Sequence, residues 1–320
     1  MANDIGYTKN LFILPFDHRS SFVKDMFGIQ DQNLTAQETQ IIISEKEIIY
    51  EGFKKAVEED VPKGETAILV DEQFGDKILQ DARTQGFTTC LTTEKSGQKE
   101  FTFEYGDRFY EHIEKYKPTF AKALIHYNPE DEDQSKSRQQ QQLRILSDYC
   151  HNNGYKFLLE VLIPPSSTSE ESFGHLRGDY KAPPRWTSKE RFDKEVRPKL
   201  AVKMIEELQN VGVEPDVWKL EGMETIEDYQ AVVKQAKSGG RDNVGIVVLG
   251  RGEDQKQVEK WISVGAKVKG VIGFAVGRTV FWQPLVDLKN GKISKEQAIA
   301  QIANNFKYFY DVFMKEKIKN

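Results

Sequence analysis

Cysteine is scarce: the 320 residues hold two, Cys90 and Cys150. Neither belongs to a C-x-x-C pair, which excludes a zinc knuckle or a disulfide framework. Cys90 reads as core filler within the run 88–92, and Cys150 as the closing residue of a helical segment. The five histidines are scattered, with no H-x-H or H-E-x-x-H spacing, so the common metalloenzyme signatures are missing. No G-x-G-x-x-G turn follows the first apolar run, so a dinucleotide-binding open sheet lacks its fingerprint. No apolar stretch approaches the ~20 residues that span a bilayer. The polar stretch 1–10 has no apolar signal core. A cytoplasmic protein with no membrane partner is expected. The net charge is −5 and no basic stripe is interleaved with aromatics, so nucleic acid is not an expected partner either. A small phosphorylated molecule needs only a local basic pocket and stays open. No internal repeat occurs.

What the chain does have is apolar material in a regular order. Its 38% of hydrophobic residues is enough for a sizeable core. Length alone suggests about two domains, but α/β barrels of this size are commonly one, and a single domain over 1–320 is expected. Apolar runs recur at 11–16, 66–70, 88–92, 120–127, 156–163, 217–220, 245–249 and 271–276. Helical periodicity appears between them at 36–59, 106–115, 139–152, 197–209, 226–236 and 254–264, with a last amphipathic helix at 292–317. Strands alternating with helices imply a parallel sheet covered by helices. Eight such units predict a closed (β/α)8 TIM barrel, with an open doubly wound sheet as the other reading. Phe306, Tyr308, Phe309 and Phe313 of the last helix read as core contacts or as a contact in a homo-oligomer. The glutamine run 139–142 reads as polar helix surface. The longest connection, 166–191, is rich in Ser, Pro, Gly and charge, and reads as a lid over a site or as a plain surface insertion.

The most informative run is Asp216-Val217-Trp218-Lys219-Leu220-Glu221-Gly222. A lysine inside a buried strand is costly, because burial disfavours its charged form. It persists when its amine is paired, or when it serves as a nucleophile. Side chains alternate along a strand. If Trp218 and Leu220 face the helices, Lys219 points into the barrel. By the same alternation Glu160 points inward one strand away, and Lys122 shares a face with Leu124 and His126 on the fourth strand. Asp17 stands at the mouth of the first, where sites of this fold are built. The bland alternative for all four is a structural ion-pair network. Lys122, early in its strand, also reads as a bottom-layer residue. Should it approach Lys219, its charge would lower the Lys219 pKa and supply free amine near neutral pH.

Gly250-Arg251-Gly252 and Gly277-Arg278 follow the seventh and eighth runs, where many barrels bind phosphate through backbone N–H groups and a helix N-terminus. For Arg251 a plain surface charge is the competing reading, and Arg278 is the stronger candidate. Arg19, Asp71, Glu72, Glu94 and Lys95 stand at strand ends as substrate contacts or rim residues, with Arg19 and Glu94 ahead of the others.

Five segments carry a family resemblance: Leu-Pro-Phe-Asp-His-Arg at 14–19, Asp-Glu-Gln-Phe-Gly at 71–75, Glu-Lys-Ser-Gly-Gln at 94–98, Trp-Lys-Leu-Glu-Gly at 218–222 and Phe-Ala-Val-Gly-Arg-Thr-Val-Phe at 274–281. Together they resemble the DUF2090 family, over nearly the whole chain. That domain is also found fused behind the 5-dehydro-2-deoxygluconokinase of bacterial inositol catabolism. More distantly the chain is similar to the tagatose-1,6-bisphosphate aldolases, class I Schiff-base enzymes on a TIM barrel. The resemblance places the Schiff-base lysine on Lys219, the proton-transferring glutamate on Glu160, the fourth-strand lysine on Lys122, the first-strand aspartate on Asp17 and the phosphate-side arginine on Arg278. Those aldolases carry Asp-Gln-Arg where this chain has Asp-His-Arg, which implies a different substrate group at His18. No sugar-kinase half is present, so phosphorylation of a substrate is expected from another protein.

The reading that follows is a class I aldolase with no cofactor. The substrate implied by the resemblance is 2-deoxy-5-keto-gluconate 6-phosphate, cleaved to dihydroxyacetone phosphate and malonic semialdehyde. Tagatose 1,6-bisphosphate is the alternative. Two other classes stand beside it: metal-dependent aldolase or isomerase chemistry on His18, His126, Asp17 and Glu160, and a sugar-phosphate-binding protein without turnover.

Overall fold

Eight short strands, buried along most of their length, form the centre of the molecule. They are β1 (Leu11–Pro15), β2 (Thr66–Val70), β3 (Thr88–Thr92), β4 (Phe120–His126), β5 (Lys156–Leu162), β6 (Val217–Glu221), β7 (Gly245–Leu249) and β8 (Val271–Ala275). All pair in parallel in sequence order and β8 closes onto β1, so the sheet is a complete barrel. The computed structural model describes residues 5–29, 34–165 and 188–319. The TIM barrel expected from the alternating runs is the observed fold, and each strand begins at its expected residue and ends within one residue of the predicted end.

Helices cover the barrel: α1 (Ser20–Phe27), α2 (Ala36–Glu58), α3 (Glu72–Thr84), α4 (Phe109–Tyr116), α5 (Asp133–Asn152), α6 (Arg197–Asn210), α7 (Ile226–Ala236), α8 (Gln255–Gly265), α9 (Arg278–Lys289) and α10 (Lys295–Ile318). A helical turn, Ser188–Arg191, and a π-helical turn, Phe192–Val196, lead into α6. Among the described residues no helix is long and apolar enough to cross a membrane. Three helices were not read from the sequence. α1 has only eight residues, although Phe22, Val23 and Met26 form a buried stripe. α3 is preceded by Asp71, whose carboxylate caps it by accepting from Phe74 N at 2.9 Å, so that its acidic start resembles a site rather than a helix. α9 contains Pro284, a residue that ordinarily breaks a helical pattern.

The pleat sorts the apolar side chains into two cores. Leu11, Ile13, Leu69, Phe120, Leu158, Val217 and Val247 fill the barrel. Trp218 and Leu220 belong to the outer core between barrel and helices, together with Phe306, Phe309 and Phe313 of α10. Tyr308 is half-exposed instead, and its hydroxyl donates to Glu259 at 2.6 Å. The lower end of the barrel is plugged by the N-terminal segment. Tyr7 N donates to Asn243 O at 2.8 Å, and the Tyr7 ring meets Phe120 edge-on at 5.2 Å. Asp216 pins this end, accepting from Gly6 N and Phe157 N at 2.7 Å each, from Lys156 Nζ at 2.9 Å and from His151 at 3.2 Å.

The seam between β1 and β8 needs glycine. A Cβ on Gly273 would lie 2.0 Å from the Leu11 carbonyl oxygen, and one on Gly277 2.2 Å from that of Pro15. Such distances are well inside van der Waals contact, so only a residue without a side chain lets the two backbones pair there.

After β3 the chain folds back as a hairpin. Glu94 bridges Phe103, Lys95 N donates to Thr102 O at 2.9 Å and Glu104 N to Thr93 O at 3.0 Å. Gln139 holds its far side, accepting from Phe101 N at 3.0 Å and donating to His126 O at 3.2 Å. The expectation of a polar surface run therefore fails at Gln139, which is buried. Residues 166–187 of the long connection, and with them the lid reading, lie outside the described residues.

Candidate active site

Strand register decides which side chains meet at the C-terminal mouth. Glu160 pairs with Lys219 across β5 and β6, and alternation turns both inward because Leu159, Trp218 and Leu220 face the helices. Leu124 stands opposite Glu160 on β4, which puts Lys122 one inward position deeper. Its long side chain reaches up to the same carboxylate, so the bottom-layer reading of Lys122 is corrected. Asp17 follows β1 and Glu94 follows β3 at the same rim.

The result is one connected cluster. Lys219 Nζ lies 2.7 Å from Glu160 Oε2. Lys122 Nζ lies 2.8 Å from Asp17 Oδ2, 2.6 Å from Glu94 Oε1 and 3.0 Å from that same Glu160 Oε2. The two lysines are 1% and 3% exposed, so these contacts form where water screens little.

Their electrostatics differ from group to group. Burial works against the Lys122 charge, but Asp17, Glu160 and Glu94 outweigh it and raise its pKa well above the ordinary value. Burial alone would raise Asp17 and Glu160. Lys122 and Lys219 beside them reverse the sign and hold both below the usual carboxylate range. Glu94 goes the other way: its burial wins over Lys122 and Arg19 and raises its pKa. Burial also depresses His18, to about 4, so its imidazole is neutral at pH 7. Among the described residues its Nδ1 is buried without a hydrogen-bond partner, as are Arg19 Nε and Glu94 Oε2.

A cavity of about 1000 Å³ opens above the cluster. Asp17, His18, Arg19, Glu94, Lys122, Glu160 and Lys219 all line it, together with α1, the tip of the β3 hairpin and the start of α5. Arg19 is buried and ties β1 to the hairpin, donating from Nη1 to Glu104 at 2.6 Å and from Nη2 to the Glu94 carbonyl at 2.5 Å. Ser20 and Ser96 join α1 to the hairpin tip at 3.0 Å. Sequence reasoning missed Glu104, Ser20 and Ser96, because nothing in their local pattern reveals a hairpin after β3.

The remaining candidates sit elsewhere on the mouth. Arg251 has a left-handed backbone, φ +52, between Gly250 and Gly252. Its guanidinium is engaged by Glu221 and Asp193 at 2.9 Å each, which ties the loop after β7 to the end of β6 and the lead-in to α6. Arg278 opens α9 after Gly277, 3.1 Å from Asp25 and stacked over Trp282. Neither arginine lines the cavity, although Asp25 does. Asp71 is withdrawn altogether into a fully buried pair with Lys46. Glu72 turns to His112 and Lys115 on α4. His126 lines the cavity but is exposed. Among the described residues no three His, Cys, Asp or Glu side chains form a group that would hold a metal ion.

The sequence matches the family described as "Uncharacterized protein conserved in bacteria (DUF2090)" over residues 3–177 and 187–317. No curated protein matches it. Several solved structures share the fold. A fructose-bisphosphate aldolase from Plasmodium falciparum, solved with TRAP and a small-molecule inhibitor, superposes with a TM-score of 0.63 at 12% identity, covering 98% of this chain and 92% of that one. Cgl0159 from Corynebacterium glutamicum gives 0.54 at 13% identity over 96% and 88%. A fructose-bisphosphate aldolase from Slackia heliotrinireducens gives 0.55 at 12% over 97% and 86%.

Proposed function

The chain belongs to the DUF2090 family, and from that membership and the geometry of the barrel mouth we propose that it is a class I, Schiff-base aldolase acting on a phosphorylated keto-sugar or keto-sugar acid. One observation carries the reading: two buried lysines share one glutamate but have unequal company. Among the described residues Lys122 is held by three carboxylates, whereas Lys219 pairs with Glu160 alone. A lysine with a single acid partner can hand that partner a proton and attack a carbonyl. A lysine held by three serves as a fixed positive charge. The aldolases among the similar folds support the same general kind of chemistry.

Lys219 attacks the substrate ketone and forms a carbinolamine. Glu160, 2.7 Å away, protonates the departing hydroxyl, which leaves as water and gives the iminium. The electrons of the adjacent C–C bond then flow into the iminium. An enamine remains on Lys219, the β-hydroxyl becomes an aldehyde, and its proton passes to Asp17. Asp17 is suited to receive it, because Lys122 and Lys219 keep it ionised. Protonation of the enamine carbon and addition of water release the second product and restore the amine.

His18 and Arg19 are the substrate contacts on the β1 side of the cavity, where a neutral imidazole suits a hydroxyl. By the family resemblance the phosphate side is the turn at Gly250 and Arg251 and the start of α9 at Gly277 and Arg278, which stand at the mouth outside the cavity lining, α9 beside β1 and the Arg251 side chain held by Glu221 and Asp193. Among the described residues α9 has no side-chain cap and Val280 N already donates to Gly277 O at 2.8 Å, so an anion there would take the N–H groups of Arg278 and Thr279. The motifs shared with the family favour 2-deoxy-5-keto-gluconate 6-phosphate, giving dihydroxyacetone phosphate and malonic semialdehyde. Incubation with that sugar acid should release both products in equal amounts. Cleavage of tagatose 1,6-bisphosphate in its place would move the substrate assignment. Binding of ketose phosphates with no cleavage of any would replace the aldolase by a sugar-phosphate-binding protein.

A further inference from the structure

Retro-aldol chemistry at Lys219 uses two carboxylates, Asp17 and Glu160, yet a third stands in the cluster. An ammonium group has three N–H bonds. Lys122 faces three carboxylates within 3.0 Å, and the shortest contact, 2.6 Å, is to Glu94. Among the described residues Lys122 donates to Asp17 and Glu94 and lies 3.0 Å from Glu160, so its charge is taken up by carboxylates. Glu94 is itself held from two sides. Its backbone bridges Phe103, and its carbonyl accepts from Arg19 at 2.5 Å. Its second carboxylate oxygen is buried with no hydrogen-bond partner among the described residues. A carboxylate placed this firmly, with one oxygen unsatisfied, is held for what the other oxygen does.

We propose that Glu94 is a positioning residue: by accepting one N–H of Lys122 it holds the ammonium between Asp17, to which it donates, and Glu160, 3.0 Å away, and so fixes the two carboxylates that move protons around Lys219. The proposal rests on the Schiff-base reading and assigns the β3 hairpin a part in it. A mutation at Glu94 should therefore slow proton transfer while leaving ketone binding nearly unchanged.

Dihydroxyacetone phosphate serves as the probe, because exchange of its carbon-bound hydrogen with deuterated water needs the imine and a base but no full substrate. Wild-type protein should exchange deuterium and yield a borohydride-reduced adduct on Lys219. In Glu94→Ala, saturating exchange per folded molecule should fall about 20-fold or more, with the half-saturating concentration within about 3-fold. Glu94→Gln keeps an oxygen that accepts from Lys122, and it should recover exchange to within about 5-fold of wild type. If Glu94→Ala does not fold, Glu94→Gln decides alone: near-recovery supports the role and a large loss overturns it. Unchanged saturating exchange in Glu94→Ala, or a change confined to half-saturation, overturns this proposal and leaves the aldolase standing. No exchange and no adduct in wild type overturns both.

Discussion

Lys122 and Lys219 flank Glu160 from β4 and β6, yet their removal should have opposite signatures. Lys122→Met leaves Asp17, Glu94 and Glu160 facing one another with their shared cation gone. Breaking a buried pair from one side typically costs about 3–5 kcal/mol, and the variant should unfold at much lower urea. Lys219→Met removes a single partner from Glu160, which keeps Lys122 at 3.0 Å. It should stay close to wild type in stability and lose imine chemistry completely. Equal destabilisation by the two changes would contradict the division of labour between them. Most of this cluster could be read from the sequence, since alternation and strand ends locate Lys219, Glu160 and Asp17. The depth of Lys122 could not be read that way. Its backbone does belong to a lower layer, but a lysine side chain is long enough to climb out of it. Arg251 shows the reverse: its position after β7 was legible, but its engagement by Glu221 and Asp193 depends on loops whose paths no periodicity encodes.

At the scale of elements, the strands were legible because a parallel barrel buries both faces and leaves near-continuous apolar runs. The helices that escaped were those whose signals are short or contradictory: α1 by its length, α3 by its acidic cap, α9 by Pro284. The β3 hairpin escaped because it is held by backbone pairing and by one glutamine from α5. The closure of β8 onto β1 is the most demanding junction. Gly273→Ala would drive a methyl group to 2.0 Å from the Leu11 carbonyl, where backbone rather than a flexible side chain has to move. The expected loss is about 3 kcal/mol or more, seen as a lower denaturation midpoint. A neutral outcome would mean that the seam yields easily and that glycine there has another reason.

For the whole molecule, the mouth makes stability depend on pH. His18 is held neutral in the folded state, with a pKa of about 4 against 6.5 for an exposed histidine. A depressed histidine means that the unfolded chain binds more protons between these values. Its contribution is complete above pH 6.5 and is lost as pH falls toward 4. Between pH 7.5 and 5 that loss is about 2 kcal/mol, by the linkage relation. Asp17 and Glu160, also held low, add an acid loss that begins near their unfolded values. Glu94, raised by burial, opposes it. His18→Asn should therefore flatten the stability curve between pH 7.5 and 5, measured by urea unfolding at each pH. An unchanged slope would show that His18 titrates normally in the fold. The composition of the chain forecast none of this, since a net charge of −5 says nothing about charged side chains gathered within one barrel mouth.

A covalent bond between a ketone and one particular nitrogen is what the whole account requires. Borohydride reduction with dihydroxyacetone phosphate, followed by peptide mapping in a mass spectrometer, reads that bond directly. The prediction is a single reduced adduct on the peptide containing Lys219, absent in Lys219→Met and present in Lys122→Met wherever that variant folds. An adduct on Lys122 instead, or none on a protein that is turning substrate over, would contradict it.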